Sequence, residues 1–129
     1  MSRLYSLSVF DIYKKNMLFN GSSEAITWEK ETTTYAQLFE QTARFASGLK
    51  KLNLPEKSRI AVLCKNHPVF FHLFGAASAL NLCLVLINRR LSPEEVSYIV
   101  EDSTPSIIIS DKEMAEQAHQ LVDRFEIKP

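Results

Sequence analysis

The sequence predicts an α/β fold in which short parallel strands alternate with helices. Three largely apolar segments of strand length, residues 60–64, 84–87 and 106–109, are separated by stretches with helical signals. Continuous apolar runs are typical of parallel strands covered on both faces. The alternation indicates a parallel sheet with right-handed crossovers. The chain has 129 residues, 46% of them hydrophobic, which is enough for one domain with a substantial core.

The first part of the chain predicts a helix, a short hairpin and a second helix. Apolar residues recur at helical intervals over residues 9–19 and end in a polar turn cluster at 20–23. The segment 25–34 reads as strand, turn and strand, which predicts a hairpin. Thr34 and Gln37 match a capping box. The apolar residues that follow, up to Leu52, recur at intervals of three and four, so they predict an amphipathic helix.

Strand and helix signals then alternate to the end of the chain. Pro68 opens a helix to about Leu80 that is apolar nearly all round, which predicts a helix buried within a larger body. The segment 92–95, Ser-Pro-Glu-Glu, predicts a capped helix that runs to about residue 102. Asp111 is expected to cap a last helix that ends near Phe125.

Composition and charge argue against several classes of function. Fifteen basic and fifteen acidic side chains cancel, so no long-range field attracts nucleic acid or an anionic membrane. No apolar run reaches the roughly 18 residues of a membrane span, and the first residues lack the features of a secretory signal. We therefore expect a cytoplasmic protein. Cys64 and Cys83 lie in apolar runs without metal-ligand spacing, which predicts reduced core cysteines.

Few residues carry a pattern typical of catalysis. The three glycines stand 27 residues apart each time, so no glycine-rich phosphate loop is present in the chain. The histidines have neither a nucleophile nor an orienting carboxylate near them in sequence, which favours structural or exposed roles for His67, His72 and His119. Capping explains the adjacent carboxylates at 94–95. The sequence predicts no catalytic residue and no metal ligand.

Arg89 and Arg90 are the candidate binding residues. They follow a predicted buried strand, and ligands of open α/β sheets bind beyond the carboxyl ends of strands. Two guanidinium groups there could bind a phosphate through paired donors. Alternatively, they are surface arginines that precede the next helix.

Four segments, in order, resemble acyl-CoA synthetases and related adenylate-forming enzymes. Residues 34–38 (TYAQL) resemble the TYxEL element, and residues 57–63 (KSRIAVL) are similar to GDRVAILL. Residues 76–91 resemble AxxxAGAVxVPLNxRL, and residues 92–103 follow the xxEELxYxLxDS helix. The chain departs from these patterns at Ser58, at Asn81 in place of a glycine, and at Leu86 in place of a proline. None of these departures removes a reacting group, and asparagine tolerates a left-handed helix end.

The resemblance implies that residues 1–129 are an incomplete, N-terminal portion of the large domain of an adenylate-forming enzyme. Such an enzyme uses ATP and Mg²⁺ to convert a carboxylic acid into an acyl-adenylate and then transfers the acyl group to coenzyme A. The family's later elements, SGTTGxPKG, YGxTE, TGD and a C-terminal lysine, have no counterpart in this chain. We therefore expect the 129-residue chain alone to be inactive and to bind no cofactor. Because the remaining strands would be missing, we also expect it to self-associate as a homodimer.

The resemblance also gives Arg90 a role. It matches the arginine before the leucine of NxRL, which contacts the coenzyme A nucleotide phosphate in some members, with Arg89 as a weaker companion. The acid, fatty or aromatic, stays open. One alternative is an adenylation domain that loads a carrier protein, although its LDPxYP element is replaced at residues 88–93. A stand-alone module of the receiver or flavodoxin type is disfavoured, because Lys65 and Arg89 follow strands where a receiver has acidic residues.

Overall fold

A computed structural model describes residues 7–127 and confirms the predicted α/β class. The elements follow the predicted order of helix, hairpin, helix and three strand–helix units. They are α1 (Val9–Asn20), β1 (Glu24–Trp28), β2 (Glu31–Thr34), α2 (Tyr35–Lys50), β3 (Arg59–Leu63), α3 (Val69–Ala79), β4 (Cys83–Leu86), α4 (Pro93–Ser103), β5 (Ile107–Ser110) and α5 (Ala115–Phe125).

The described residues form two compact units. The first, the helical unit, contains residues 7–53 and Pro68–Asn81, and so holds α1, the hairpin, α2 and α3. The second, the sheet unit, contains Leu54–His67 and residues 82–127, with β3, β4, β5, α4 and α5. The chain therefore leaves the sheet unit after β3, contributes α3 to the helical unit, and returns for β4.

In the helical unit, the hairpin leads directly into α2. β1 and β2 are antiparallel, with Thr27 opposite Thr32. The capping box is formed as predicted, since the Thr34 hydroxyl accepts from the Gln37 N–H at 3.3 Å and the Gln37 side chain accepts from the Thr34 N–H at 2.9 Å. These two bonds satisfy amides that the helix itself cannot pair.

The three helices of this unit approach each other closely at Gly75 of α3. A Cβ placed on Gly75 would lie 2.4 Å from Thr42 Cγ2 of α2 and 2.8 Å from Tyr13 Cε2 of α1. The Tyr13 hydroxyl donates to the Phe71 carbonyl at 3.0 Å, and the buried Thr42 hydroxyl donates to the Leu38 carbonyl at 2.7 Å. The contact therefore needs a residue without a side chain at position 75.

Within this chain α3 is buried on one side, and its burial within a larger body stays a prediction. Leu73, Ala76 and Ala77 are buried, but Phe71 is 46% exposed and Phe74 is 37% exposed. Neighbouring helices cover a helix along part of its circumference only, and the apolar pattern alone does not show whether a further element covers the rest.

The sheet unit is built on a parallel three-stranded sheet with the order β4-β3-β5. Ile60 of the central strand aligns with Leu84 on one side and Ile107 on the other. Ile60 to Leu63 of β3 are almost completely buried, whereas the edge strands are partly exposed. The core of this unit contains Ala61, Leu63, Ile87, Val96, Val100 and Leu121.

Several predicted boundaries differ slightly from the structure. Ile87 lies just beyond β4, although its N–H still donates to the Val62 carbonyl at 3.0 Å. The Ser92 capping box is confirmed, and Asn81 adopts a left-handed φ of 53°, as asparagine tolerates. The prediction that Asp111 caps α5 was wrong. It accepts from the Met114 N–H and so caps the turn before the helix, which begins at Ala115.

Candidate functional site

Charged side chains meet where the three parallel strands end. Lys65 follows β3, Arg89 and Arg90 follow β4, and Asp111 and Glu113 follow β5. We call these five residues the strand-end rim. The carboxyl ends of parallel strands lie at one edge of a sheet, which is the usual ligand-binding edge of open α/β folds.

Asp111 fixes the geometry of the rim. One carboxylate oxygen accepts from the Lys65 N–H at 2.8 Å and the other accepts from the Met114 N–H at 3.0 Å. The hydrogen bond from the Lys65 backbone is the main reason that the pKa of Asp111 lies below its ordinary value. Asp111 is therefore a carboxylate that joins the end of β3 to the turn after β5.

Glu113 pairs with two cations of the rim. Its Oε1 contacts Lys65 Nζ, and its Oε2 lies 3.5 Å from Arg89 Nη1. The Lys65, Glu113 and Arg89 side chains are 46%, 57% and 40% exposed, so water screens both pairs. Arg89 therefore has part of its positive charge compensated within the chain.

Arg90 lies beside this network without joining it. Its backbone N–H donates to the Asn88 side-chain oxygen at 3.0 Å, which fixes the turn after β4. Its side chain is exposed, and its guanidinium makes no hydrogen bond or ion pair with any residue between 7 and 127. The structure therefore places both predicted arginines at the rim and leaves the five donors of Arg90 available to an anion.

The cysteines differ from each other. Cys64 is half-buried, and its thiol donates to the Ile109 carbonyl at 3.8 Å. Burial raises the pKa of the Cys64 thiol, and the Asp111 charge acts in the same direction, so the reactive thiolate is disfavoured. Cys83 was predicted to be a core residue, but it is exposed, because it begins the edge strand β4. Both are free thiols, as predicted.

The other titratable candidates have structural contacts or lie outside the rim. His72 of the helical unit has Nε2 2.7 Å from Gln41 Oε1, and its ring stacks on Phe45. Glu95 accepts from the Ser92 N–H at 2.8 Å, which confirms its capping role. Over the part of the chain that the structure describes, no group of three or more His, Cys, Asp or Glu side chains could hold a metal ion.

Comparison with known proteins identifies the family. The AMP-binding enzyme profile matches residues 15–128. The chain belongs to the AMP-binding enzyme family. This confirms the resemblance that the four sequence segments indicated.

Relatives of this AMP-binding chain include ligases with different acceptors. It is 28% identical over 109 residues to a long-chain-fatty-acid–CoA ligase of Thermus thermophilus, which covers 81% of the chain and 20% of that relative. It is 34% identical over 93 residues to ScoC of Streptomyces coeruleorubidus, a fatty acid–[acyl-carrier-protein] ligase, covering 71% of the chain and 18% of that relative. The chain thus spans about a fifth of the length of these curated relatives.

The fold agrees with solved members of the family. The N-terminal domain of FACL13 from Mycobacterium tuberculosis superposes with a TM-score of 0.81 at 26% identity, covering 95% of the chain and 31% of that domain. The α/β arrangement with its antiparallel pair and parallel sheet is therefore that of the N-terminal part of adenylate-forming enzymes.

Two rim residues were not singled out from the sequence. Lys65 and Glu113 are 48 positions apart, and neither belongs to a recognisable motif. The available signal was positional, because each closely follows a strand whose end lies at the same edge of the sheet.

Among residues 7–127, no helix is both long enough and apolar enough to cross a membrane.

Proposed function

We propose that this chain is part of an AMP-forming acid–thiol ligase whose thiol substrate is coenzyme A. In the first half-reaction a carboxylate oxygen attacks the α-phosphorus of ATP, forming an acyl-adenylate and releasing pyrophosphate. In the second, a thiol attacks the acyl carbon and AMP leaves. Membership of the AMP-binding family supports this chemistry, as does the name of the Thermus relative. The acid, a fatty or aromatic carboxylate, stays open.

The position and exposure of Arg90 support the coenzyme A proposal. It is an exposed guanidinium without a partner among the described residues, at the ligand-binding edge of the sheet. A planar guanidinium binds phosphate through two parallel N–H donors. We assign Arg90 to a phosphate of the coenzyme A nucleotide and Arg89 to a supporting role. The chain then contributes to the second half-reaction. The groups that bind ATP and the catalytic groups lie in other parts of the enzyme.

ATP and Mg²⁺ supply chemistry that the residues of this chain do not. ATP supplies the adenylyl group that activates the acid, and Mg²⁺ accompanies the nucleotide. The described residues hold no cluster of three or more His, Cys, Asp or Glu side chains that could hold a metal ion, and we assign no step through Mg²⁺ to this chain. The cytoplasmic location, the homodimer and the inactivity of the 129 residues alone stay predictions.

The test separates the two half-reactions in the polypeptide encoded by the complete gene. Arg90→Ala should weaken the use of coenzyme A by about 1.5–3 kcal/mol, the value of a hydrogen bond to a charged group. Acid-dependent exchange of pyrophosphate into ATP should be unchanged. Arg90→Lys should recover part of the loss. Arg44→Ala, which removes an exposed arginine of the helical unit, is the matched control. Equal losses in both half-reactions for Arg90→Ala would show a structural role instead.

A carrier protein is the alternative acceptor, and the name of the Streptomyces relative supports it. The phosphopantetheine arm of a carrier protein has the thiol of coenzyme A without its nucleotide. Arg90→Ala should therefore weaken transfer to free coenzyme A and spare transfer to a carrier protein. Transfer to a carrier protein alone, insensitive to Arg90→Ala, would favour the alternative.

A further inference from the structure

Glu113 pairs with two of the three basic side chains of the rim. It is the only carboxylate that contacts rim side chains within the described residues, and it contacts two of them, Lys65 and Arg89. Asp111 instead accepts from backbone N–H groups. The rim thus contains one carboxylate that pairs with two of its three basic side chains.

The position of Glu113 is determined by the turn that contains it. Asp111 accepts from the Lys65 N–H, which attaches the segment 111–114 to the end of β3, and from the Met114 N–H, which closes the turn. Glu113 lies within this turn, which places its carboxylate beside the end of β3. Its contact with Arg89 is the weaker one, because 3.5 Å is long for a charge-assisted hydrogen bond.

We propose that Glu113 is a positioning and selectivity residue of the anion site at the strand-end rim. In the free protein its carboxylate compensates Lys65 and Arg89 and leaves Arg90 as the first contact for a phosphate. A phosphate monoester dianion bound at Arg90 attracts Arg89 away from Glu113 and gains a second guanidinium. A singly charged phosphodiester competes less well with the carboxylate. The rim thereby favours the terminal phosphate monoester of coenzyme A. This inference rests on the proposed function.

Removing the Glu113 charge should tighten binding. The Glu113 pairs are exposed, and exposed ion pairs are weak, so Arg89 can be released at little cost. Glu113→Gln keeps the shape of the side chain, removes its repulsion of the incoming phosphate and frees Arg89. We expect coenzyme A to bind about three- to five-fold more tightly, and the gain to decline as salt is added.

The test is a titration of the polypeptide encoded by the complete gene with coenzyme A and with dephospho-coenzyme A, measured by isothermal titration calorimetry. Glu113→Gln should tighten dephospho-coenzyme A by a larger factor than coenzyme A, because the carboxylate no longer holds Arg89 against a singly charged phosphate. Glu101→Gln makes the same change in net charge on α4, in the half of that helix nearest the amino ends of the strands, and should leave both affinities unchanged. In an Arg89→Gln background the gain from Glu113→Gln should shrink, because Arg89 provides it.

The outcomes distinguish this inference from the proposed function. If Arg90→Ala weakens coenzyme A binding but Glu113→Gln leaves it unchanged or weaker, the role of Glu113 is refuted and that of Arg90 stands. If Arg90→Ala has no effect, the proposed role of Arg90 fails. In that case a gain from Glu113→Gln that depends on Arg89 would still support the Glu113 inference, and no gain would refute it.

Discussion

Gly75→Ala should destabilise the chain although alanine is the better helix former. Gly75 is buried in α3, and its φ is not positive, so the backbone itself accepts alanine. In an open helix this change gains about 1 kcal/mol. Here the new Cβ would lie 2.4 Å from Thr42 Cγ2, and 2.8 Å and 3.0 Å from two ring atoms of Tyr13. Carbon atoms normally pack at roughly 3.5–4.0 Å, so each neighbour must move.

The size of the effect follows from these two opposing terms. Overpacking a core costs typically about 1–3 kcal/mol, and Thr42 is 0% exposed, which leaves it little room to move. A cost near the upper end, reduced by the helix-forming gain, predicts a net loss of about 1–2 kcal/mol. With an m-value of about 2 kcal/mol per M, the urea midpoint should fall by roughly 0.5–1 M.

The assay is urea unfolding followed by the fluorescence of Trp28, the single tryptophan, which lies in the same unit as Gly75. Gly48→Ala is the matched control. It makes the same substitution in α2 at an exposed site where an added Cβ meets nothing within 4 Å, so it should raise stability by up to about 1 kcal/mol. Combining Gly75→Ala with Thr42→Ser, which removes the nearest methyl, should recover part of the loss. A midpoint for Gly75→Ala at or above that of the unmodified chain would refute the reasoning.

Two further predictions concern acid stability and association. Hydrogen bonds from the Lys65 N–H and then the Met114 N–H lower the pKa of Asp111. The Asp111 carboxylate therefore stabilises the fold fully above its unfolded pKa of about 3.9. This stabilisation is lost as the pH falls through the lower pKa of the folded state. Asp111→Asn should flatten the acid limb of unfolding free energy against pH, and an unchanged limb would contradict this. The chain should self-associate through exposed apolar side chains such as Phe19 and Phe71, and light scattering that gives only the monomer mass at high concentration would contradict this.

The order and type of the elements could be predicted because local signals agree with the fold. Ser92 and Thr34 form the capping boxes that their sequence spacing predicts, and each of the three predicted parallel strands is present in the sheet. Burial was harder to predict. Cys83 and Phe71 lie in apolar runs yet are exposed, because position in the sheet and contact with other elements decide exposure, and neither is a local property.

The sequence predicted the two arginines of the rim but not Glu113. The rule that ligands bind at the carboxyl ends of strands pointed to Arg89 and Arg90, which are adjacent in sequence. Glu113 contacts Lys65 across 48 positions of the chain, and that pairing depends on the order β4-β3-β5. The sequence alone does not give the strand order, so it does not show that the ends of β3 and β5 are neighbours. The sequence therefore did not predict that Glu113 lies at the site.

Arg89 and Arg90 carry the same functional group on neighbouring residues, and only the folded structure distinguishes them. The Arg89 guanidinium lies 3.5 Å from a carboxylate. The Arg90 side chain has no ion pair with residues 7–127, and its backbone is fixed by Asn88. An anion gains more from an uncompensated guanidinium, because no existing ion pair must be broken first. The resemblance to NxRL favoured Arg90 over Arg89, and the charge distribution of the rim supports the same order on independent grounds. If that order holds, Arg89→Ala should weaken coenzyme A binding less than Arg90→Ala does in the same titration.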